Sequence, residues 1–180
     1  MGRALIPGLA IVPDAITPER EAGLVAWIER IHPQSFGGRR RLDLYGDGPF
    51  VRTSGGRVVS GIIPPYLAQL ALEIYGEGCT AITVSEYLPG QGVREHIDRP
   101  EAGPVIRTLA LLSDADLVFR KQVGAPPGAQ IFERFSVPFP QRSLMQMRDP
   151  CRSSPWTHEL LPVAHRRMSI AFRGAVDRDN

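Results

Sequence analysis

The chain reads as an α+β protein, two amphipathic helices followed by a β sandwich, barrel or jelly roll. Three observations carry that reading. In the first 78 residues apolar side chains recur twice with a period near 3.6. From Cys79 onward the period drops to two, over short stretches that suit strands. Turn signals then separate those stretches: Pro89-Gly90, Pro126-Pro127-Gly128, Pro138 with Pro140, and Asp149-Pro150. Several short strands at even spacing are the mark of a sandwich, barrel or jelly roll.

The first helix starts at Thr17-Pro18-Glu19, a capping hydroxyl followed by proline at the first helical position. Leu24, Trp27, Ile28 and Ile31 form its apolar stripe, and Pro33 closes it. The second helix starts near Pro64-Pro65. Its stripe is Leu67, Leu70, Ala71 and Ile74, with Gly76 as C-terminal cap. Between them Gly37 to Ser60 is rich in Gly and Arg and reads as turns and hairpins. The strand-like stretches are Ala81–Leu88, Val105–Leu112, Leu117–Arg120, Ile131–Phe135, Leu144–Met147 and Arg167–Arg173.

Composition excludes several classes. A chain of 180 residues with 43% hydrophobic and 22% charged residues is globular, and large enough to fold without a disulfide or structural metal. Its net charge of +2 is not that of a protein that coats nucleic acid, though a local basic groove is compatible with it. Lys121 is the only lysine among 21 basic residues. Cys79 and Cys151 make no disulfide framework and read as free thiols in a reducing compartment. No apolar run is long enough for a membrane span, and the N-terminus is broken by Pro7 and Pro13. A cytoplasmic monomer is the expectation.

The chemistry-bearing residues lie in the second half. His96-Ile97-Asp98 puts two ligand-capable side chains at i and i+2, which face the same way on a strand. His158, in Trp156-Thr157-His158, is the natural third ligand. Two imidazoles and one carboxylate on one face of an ion form the facial triad of non-haem Fe(II) oxygenases, with positions left open for substrate and O2. His32 and His165 have no such context.

The last strand supplies an anion site. Met168, Ile170 and Phe172 fall on one face, and Arg167, Ser169, Ala171 and Arg173 on the other. Two guanidiniums on one strand face suit a dicarboxylate, which arginine binds in bidentate fashion. Arg167 follows His158 by nine residues, the interval for an adjacent antiparallel strand. Ser85 and Tyr87, again at i and i+2, can donate to carboxylate oxygens in the same pocket.

These motifs occur in a recognisable order: Ser85-Glu86-Tyr87-Leu88-Pro89-Gly90-Gln91-Gly92, His96-Ile97-Asp98, Arg142-Ser143-Leu144, Trp156-Thr157-His158, then Arg167-x-Ser169-x-x-Phe172-Arg173. The set resembles the AlkB-like Fe(II)/2-oxoglutarate-dependent dioxygenases. The first half resembles them more loosely, through Arg39-Arg40-Arg41 and Tyr45-Gly46. The resemblance implies a double-stranded β-helix (jelly-roll) core over residues 79–176. Residues 1–78 would be an N-terminal helical extension packed on one sheet, with a candidate substrate lid over 37–60. Residues 177–180 would be a tail.

The resemblance also implies that His96, Asp98 and His158 hold Fe(II). Arg167, helped by Tyr87, would take the C5 carboxylate of 2-oxoglutarate. Arg173 would lie near the metal-bound end of that cosubstrate, with Ser85 and Ser169 standing where the family has Asn. Arg39, Arg40, Arg41 and Tyr45 are candidate substrate contacts, Arg52 and Arg57 further candidates for phosphates. Turnover would oxidise a substrate C–H with O2 while 2-oxoglutarate becomes succinate and CO2. A methyl on nitrogen would be lost as formaldehyde. The expected function is dealkylation of a nucleobase in methylated DNA or RNA, as in DNA repair. A base must leave the stack to reach such a site.

Some positions depart from the family. Arg99-Pro100 stands where the bacterial repair enzyme has an acid that helps read the base. Leu112-Ser113-Asp114 replaces Ser-Leu-Gly, and His158-Glu159-Leu160 replaces His-Gly-Ile. An extra residue separates Arg152 from Trp156. Two alternatives follow: a hydroxylase or demethylase of a protein or small molecule on the same core, and a non-catalytic jelly-roll binding module.

Overall fold

Alternating side chains sort the strands into two layers with a cavity between them. The architecture is that of a computed structural model, which describes residues 6–31, 41–47, 50–51, 57–124 and 131–174. Its elements are β1 (Leu9–Val12), α1 (Pro18–Ile31), β2 (Arg41–Gly46), β3 (Arg57–Ser60) and α2 (Pro65–Ile74). There follow β4 (Cys79–Tyr87), β5 (Val93–His96), β6 (Val105–Leu111), β7 (Ala115–Gln122), β8 (Phe132–Phe139), β9 (Leu144–Arg148), β10 (Trp156–Leu160) and β11 (Arg167–Gly174). A short 3-10 turn spans Pro100–Ala102.

Among the described residues the strands form a seven-stranded sheet, β1-β9-β6-β11-β4-β2-β3, and a four-stranded sheet, β5-β10-β7-β8. All pairs are antiparallel except β2 with β3. From β4 to β11 the chain passes to the other sheet at every connection except β7 to β8. This alternation is the jelly-roll topology, and with two helices on one sheet it makes the fold α+β.

Both helices lie against the outer face of the large sheet. Leu24 and Ile28 of α1 and Leu67, Leu70 and Ala71 of α2 pack on Ile82, Val84, Leu109, Leu111, Met168, Ile170 and Phe172. The local signals place them there. Thr17 Oγ1 accepts the Arg20 N–H at 3.2 Å, as an N-cap does. At the end of α2, Gly76 takes φ +89°, and its N–H reaches the carbonyls of Ala71 and Leu72. Arg107 of β6 donates to the Ile74 carbonyl at 2.7 Å, so a cation completes that C-terminus. Trp27 meets Tyr66 with ring centroids 5.2 Å apart and joins the two helices.

A second core fills the space between the sheets. Met145, Met147, Ala110 and Tyr87 of the large sheet meet Leu117, Phe119, Phe139, Trp156 and Leu160 of the small one.

The N-terminal segment is more than a helical extension, because β1, β2 and β3 all join the large sheet. The β2–β3 pair is parallel, so this stretch is not the hairpin that its turn residues suggested. β8 runs through Pro138, which the sequence marked as a turn. It can do so because β8 is an edge strand, and an edge tolerates a residue with no N–H. Among the described residues no helix is long and apolar enough to cross a membrane.

Candidate metal and anion site

Cross-strand register brings the three expected metal ligands together. His158 of β10 lies opposite His96, the last residue of β5, on the inner face of the small sheet. Their ring centroids are 4.4 Å apart. β5 ends at His96, so Asp98 is presented by the following turn and not by the strand itself. Asp98 Oδ1 is 3.8 Å from His96 Nε2, and Oδ2 is 3.6 Å from His158 Nε2. One ligand atom from each of the three residues lies within 4.8 Å of the others, close enough to share one ion. Gly92 lets β5 approach β10 this closely, since a Cβ there would lie 2.4 Å from the Leu160 carbonyl oxygen.

The surroundings favour ligation. His96 Nδ1 lies 2.9 Å from the Arg94 carbonyl oxygen, a contact that puts the ring proton on Nδ1 and leaves Nε2 with its lone pair. Burial pushes His158 down to about 4, against the opposing pull of Asp98, so its imidazole is neutral at physiological pH. Asp98 Oδ2 and His158 Nδ1 are buried without a hydrogen-bond partner among the described residues. A buried carboxylate oxygen facing two imidazole rings is satisfied by a cation, so the donor set fits a divalent metal. Arg152, itself buried, donates to the Arg99 carbonyl at 3.2 Å and steadies the turn that carries Asp98.

The anion residues come from the opposite sheet. In β11 the alternation is as the sequence reads. Met168, Ile170 and Phe172 join the helix-covered core, while Arg167, Ser169, Ala171 and Arg173 line the cavity. Arg167 pairs with Tyr87 and Ser169 with Ser85 across β4, and with Arg173 further along β11 all five predicted cosubstrate residues line one wall. Arg167 is 1% exposed. Its Nη1 donates to the Ser113 carbonyl, its guanidinium lies 4.7 Å from the Phe139 ring centroid, and Nη2 is buried with no partner among the described residues. Burial draws its pKa down to about 10, so it is a cation at neutral pH. A buried guanidinium with a donor to spare fits a carboxylate. Arg173 donates to Thr83 Oγ1 at 2.7 Å and lies 4.1 Å from the Phe50 ring centroid.

Both walls enclose one cavity of about 390 Å³, between the metal triad and Arg167. Phe139, Leu117, Leu160, Met145 and Met147 supply its apolar lining.

Three expectations need correction or restriction. His158 and Arg167 are not on adjacent strands: β10 and β11 belong to different sheets, and the two residues face each other across the cavity. Their linker, with Pro162, crosses between the sheets. Tyr45 is not at the site. It is 1% exposed within the helix-covered core, because on β2 it shares a face with Asp43, while Leu42 faces the cavity. Arg39, Arg40 and Arg52 lie outside the described residues, as do His32, the 177–180 tail and the side chain of Arg41. The candidate lid over 37–60 therefore falls partly outside them. Arg57 pairs with Asp43 at 2.9 Å.

Thr83, Phe50 and the two methionines were missed as lining residues. Thr83 carries a readable signal, being two residues before Ser85 on the same face. Phe50 carries none, since it belongs to no regular strand.

No family model matches the chain. Over 94% of its length it is 28% identical to the uncharacterized protein L905 of Acanthamoeba polyphaga mimivirus, covering 85% of that protein. Over 88% of its length it is 27% identical to the tRNA (carboxymethyluridine(34)-5-O)-methyltransferase alkbh8 of Xenopus tropicalis, and spans 26% of that longer protein. Among solved structures, that of OsALKBH1 resembles it with a TM-score of 0.66 at 12% identity, over 95% of this chain and 100% of that one. That last likeness is one of fold. By its fold and its likeness to alkbh8, the chain is AlkB-like.

Proposed function

We propose that the chain is an Fe(II)/2-oxoglutarate-dependent dioxygenase that dealkylates N-alkylated nucleobases in DNA or RNA. One observation carries the dioxygenase reading. A His-Asp-His set and a buried arginine with an unpartnered N–H line opposite walls of one cavity. When bound, Fe(II) with O2 and 2-oxoglutarate supplies the oxidising power that hydroxylates a C–H bond, and an N-methyl group so oxidised leaves as formaldehyde.

The chain's own residues do the rest. His96, Asp98 and His158 hold the metal. The guanidinium of Arg167, kept cationic and out of water, takes the distal carboxylate, with Tyr87 and Ser169 on the same wall. Arg173 and Ser85 lie further along that wall. Phe139, Leu117 and Leu160 exclude water, so the reactants meet in a low-dielectric space.

The test is succinate release from 2-oxoglutarate under Fe(II), with formaldehyde measured over a panel of methylated oligonucleotides. Formaldehyde that depends on His158 and on the oligonucleotide supports the reading. Failure to bind a divalent metal or 2-oxoglutarate refutes it and leaves a binding module. A second reading, hydroxylation of a protein or small molecule, is favoured by Arg99. It lines the cavity where a base-reading acid would stand. Oligonucleotide binding that does not weaken with salt, together with succinate but no formaldehyde, would select it.

A further inference from the structure

The turn between β6 and β7 lies behind Arg167 and is held by a carboxylate from far away in the chain. Glu21, on the inner face of α1 beside Leu24 and Ile28, is 6% exposed. Plain helix-on-sheet packing would call for an apolar residue there, since a buried carboxylate is costly unless its oxygens are bonded. Its oxygens are bonded. Oε1 accepts the Leu112 N–H at 2.7 Å. Oε2 accepts the Gln141 side-chain amide at 2.7 Å and faces the Arg142 guanidinium at 3.5 Å.

The two turns that Glu21 grips are both strained. Leu112 has φ +74° and Arg142 φ +60°, in the left-handed region that L side chains adopt only at a cost. The turns are also tied to each other, Asp114 Oδ1 accepting the Gln141 N–H at 2.8 Å. The residue after Leu112 is Ser113, whose carbonyl accepts from Arg167 Nη1. If Leu112 relaxed to negative φ, the Ser113 peptide would swing and release that nitrogen. The guanidinium, which lines the cavity, could then turn.

We propose that Glu21 is a positioning residue for Arg167, holding the Leu112–Ser113 turn in the conformation that presents the guanidinium to the cosubstrate's distal carboxylate. This rests on the reading of Arg167 as the 2-oxoglutarate anchor. It assigns to the N-terminal helix a part in cosubstrate affinity, although Glu21 does not line the cavity.

The test is an anaerobic calorimetric titration of the Mn2+-loaded full chain with 2-oxoglutarate, together with Mn2+ affinity alone. Glu21→Ala should weaken 2-oxoglutarate roughly three- to thirtyfold, the size of a coupling carried by one such network, and leave Mn2+ affinity unchanged. Glu21→Gln should recover part of the loss, because its carbonyl can still accept the Leu112 N–H. With Arg167→Met already present, Glu21→Ala should change the affinity by less than about twofold, since the two act in series.

Equal affinity in wild type and Glu21→Ala overturns the proposal, as does a loss of the same size with and without Arg167. If Glu21→Ala does not fold, the same cycle run with Glu21→Gln decides by the same criteria. Arg167→Met that leaves 2-oxoglutarate binding intact removes the anchor reading and the proposal together. Arg167→Met that weakens binding while both Glu21 variants do not removes the proposal alone.

Discussion

Replacing Arg167 by methionine separates the needs of the site from those of the fold. The guanidinium is almost wholly buried and spends Nη1 on the Ser113 carbonyl while Nη2 has no partner among the described residues. Desolvating a cation with one of its donors unused is unfavourable, and an apolar side chain of similar length often serves the fold as well or better. Against this stands the Ser113 carbonyl, which loses its donor at a cost of about 1 kcal/mol. The ligand-free variant should therefore stay within about 1 kcal/mol of wild type or exceed it. That is a shift of no more than about 2–4 °C downward for a chain of this size.

Ligand binding should respond in the opposite way. A hydrogen bond to a charged group contributes about 1.5–3 kcal/mol, so losing it weakens 2-oxoglutarate by roughly 10- to 150-fold. At a concentration 100 times the wild-type Kd, the ligand stabilises wild type by about 2.7 kcal/mol. After a thirtyfold loss the same concentration gives about 0.9 kcal/mol. Thermal melts with and without 2-oxoglutarate, both in Mn2+, read both effects. A variant that keeps the full ligand shift refutes Arg167 as the anchor. One that loses several kcal/mol without ligand shows that the arginine serves the fold.

Other outcomes follow from the same geometry. His96→Ala, Asp98→Ala and His158→Ala should each abolish the thermal stabilisation given by Mn2+ or Co2+, whereas exposed His165→Ala should retain it. Metal-free protein should lose stability as pH falls from 6.5 towards 4, because the unfolded His158 takes up a proton in that window and the buried one does not. Between pH 7.5 and 5.0 the loss is worth about 2 kcal/mol, and comparing urea midpoints at those two pH values with those of His158→Gln isolates it. Burial pushes the Cys151 thiol up to about 11 and raises Cys79 as well, so both should react slowly with a thiol reagent at pH 8 and quickly after denaturation. Leu24→Ala should cost about 2–5 kcal/mol in a urea melt, since Leu24 is fully buried between α1 and the large sheet.

The sequence is most legible where a strand has two chemically different faces. β11 is central in the large sheet, with β4 on one side and β6 on the other, so both of its faces are buried. One meets helices and must be apolar. The other meets the cavity and carries Arg167, Ser169 and Arg173, so alternation alone sorts them. β2 offers no such contrast. Leu42 and Leu44 alternate with Asp43 and Tyr45, and period two cannot say which pair faces the helices. Tyr45 is placed at the site only by the looser resemblance of Tyr45-Gly46, and alternation along β2 offers no check on it. Strand partnership is also non-local. The nine-residue spacing of His158 and Arg167 is equally compatible with a hairpin and with a crossing between sheets, and the choice depends on contacts remote in sequence. Glu21 is the extreme case, since its bond to Leu112 spans 91 positions and leaves no local trace.

The crossing has a mechanistic consequence that a hairpin would not have. The candidate metal donors are carried by β5 and β10 of the small sheet and by the turn after β5, whereas Arg167, Tyr87, Ser85 and Ser169 belong to the large sheet. Each set is aligned by the backbone ladder of its own sheet, so neither depends on the other for its internal geometry. What couples them is the spacing between the sheets, which is set by the second core of Met145, Met147, Phe119, Phe139 and Leu160. A molecule that binds the metal at one end and the arginine at the other must match that spacing. Its length would then be gauged by the thickness of packed side chains, and a core substitution that moves the sheets would alter the fit of the proposed cosubstrate while leaving the candidate metal donors and Arg167 unchanged.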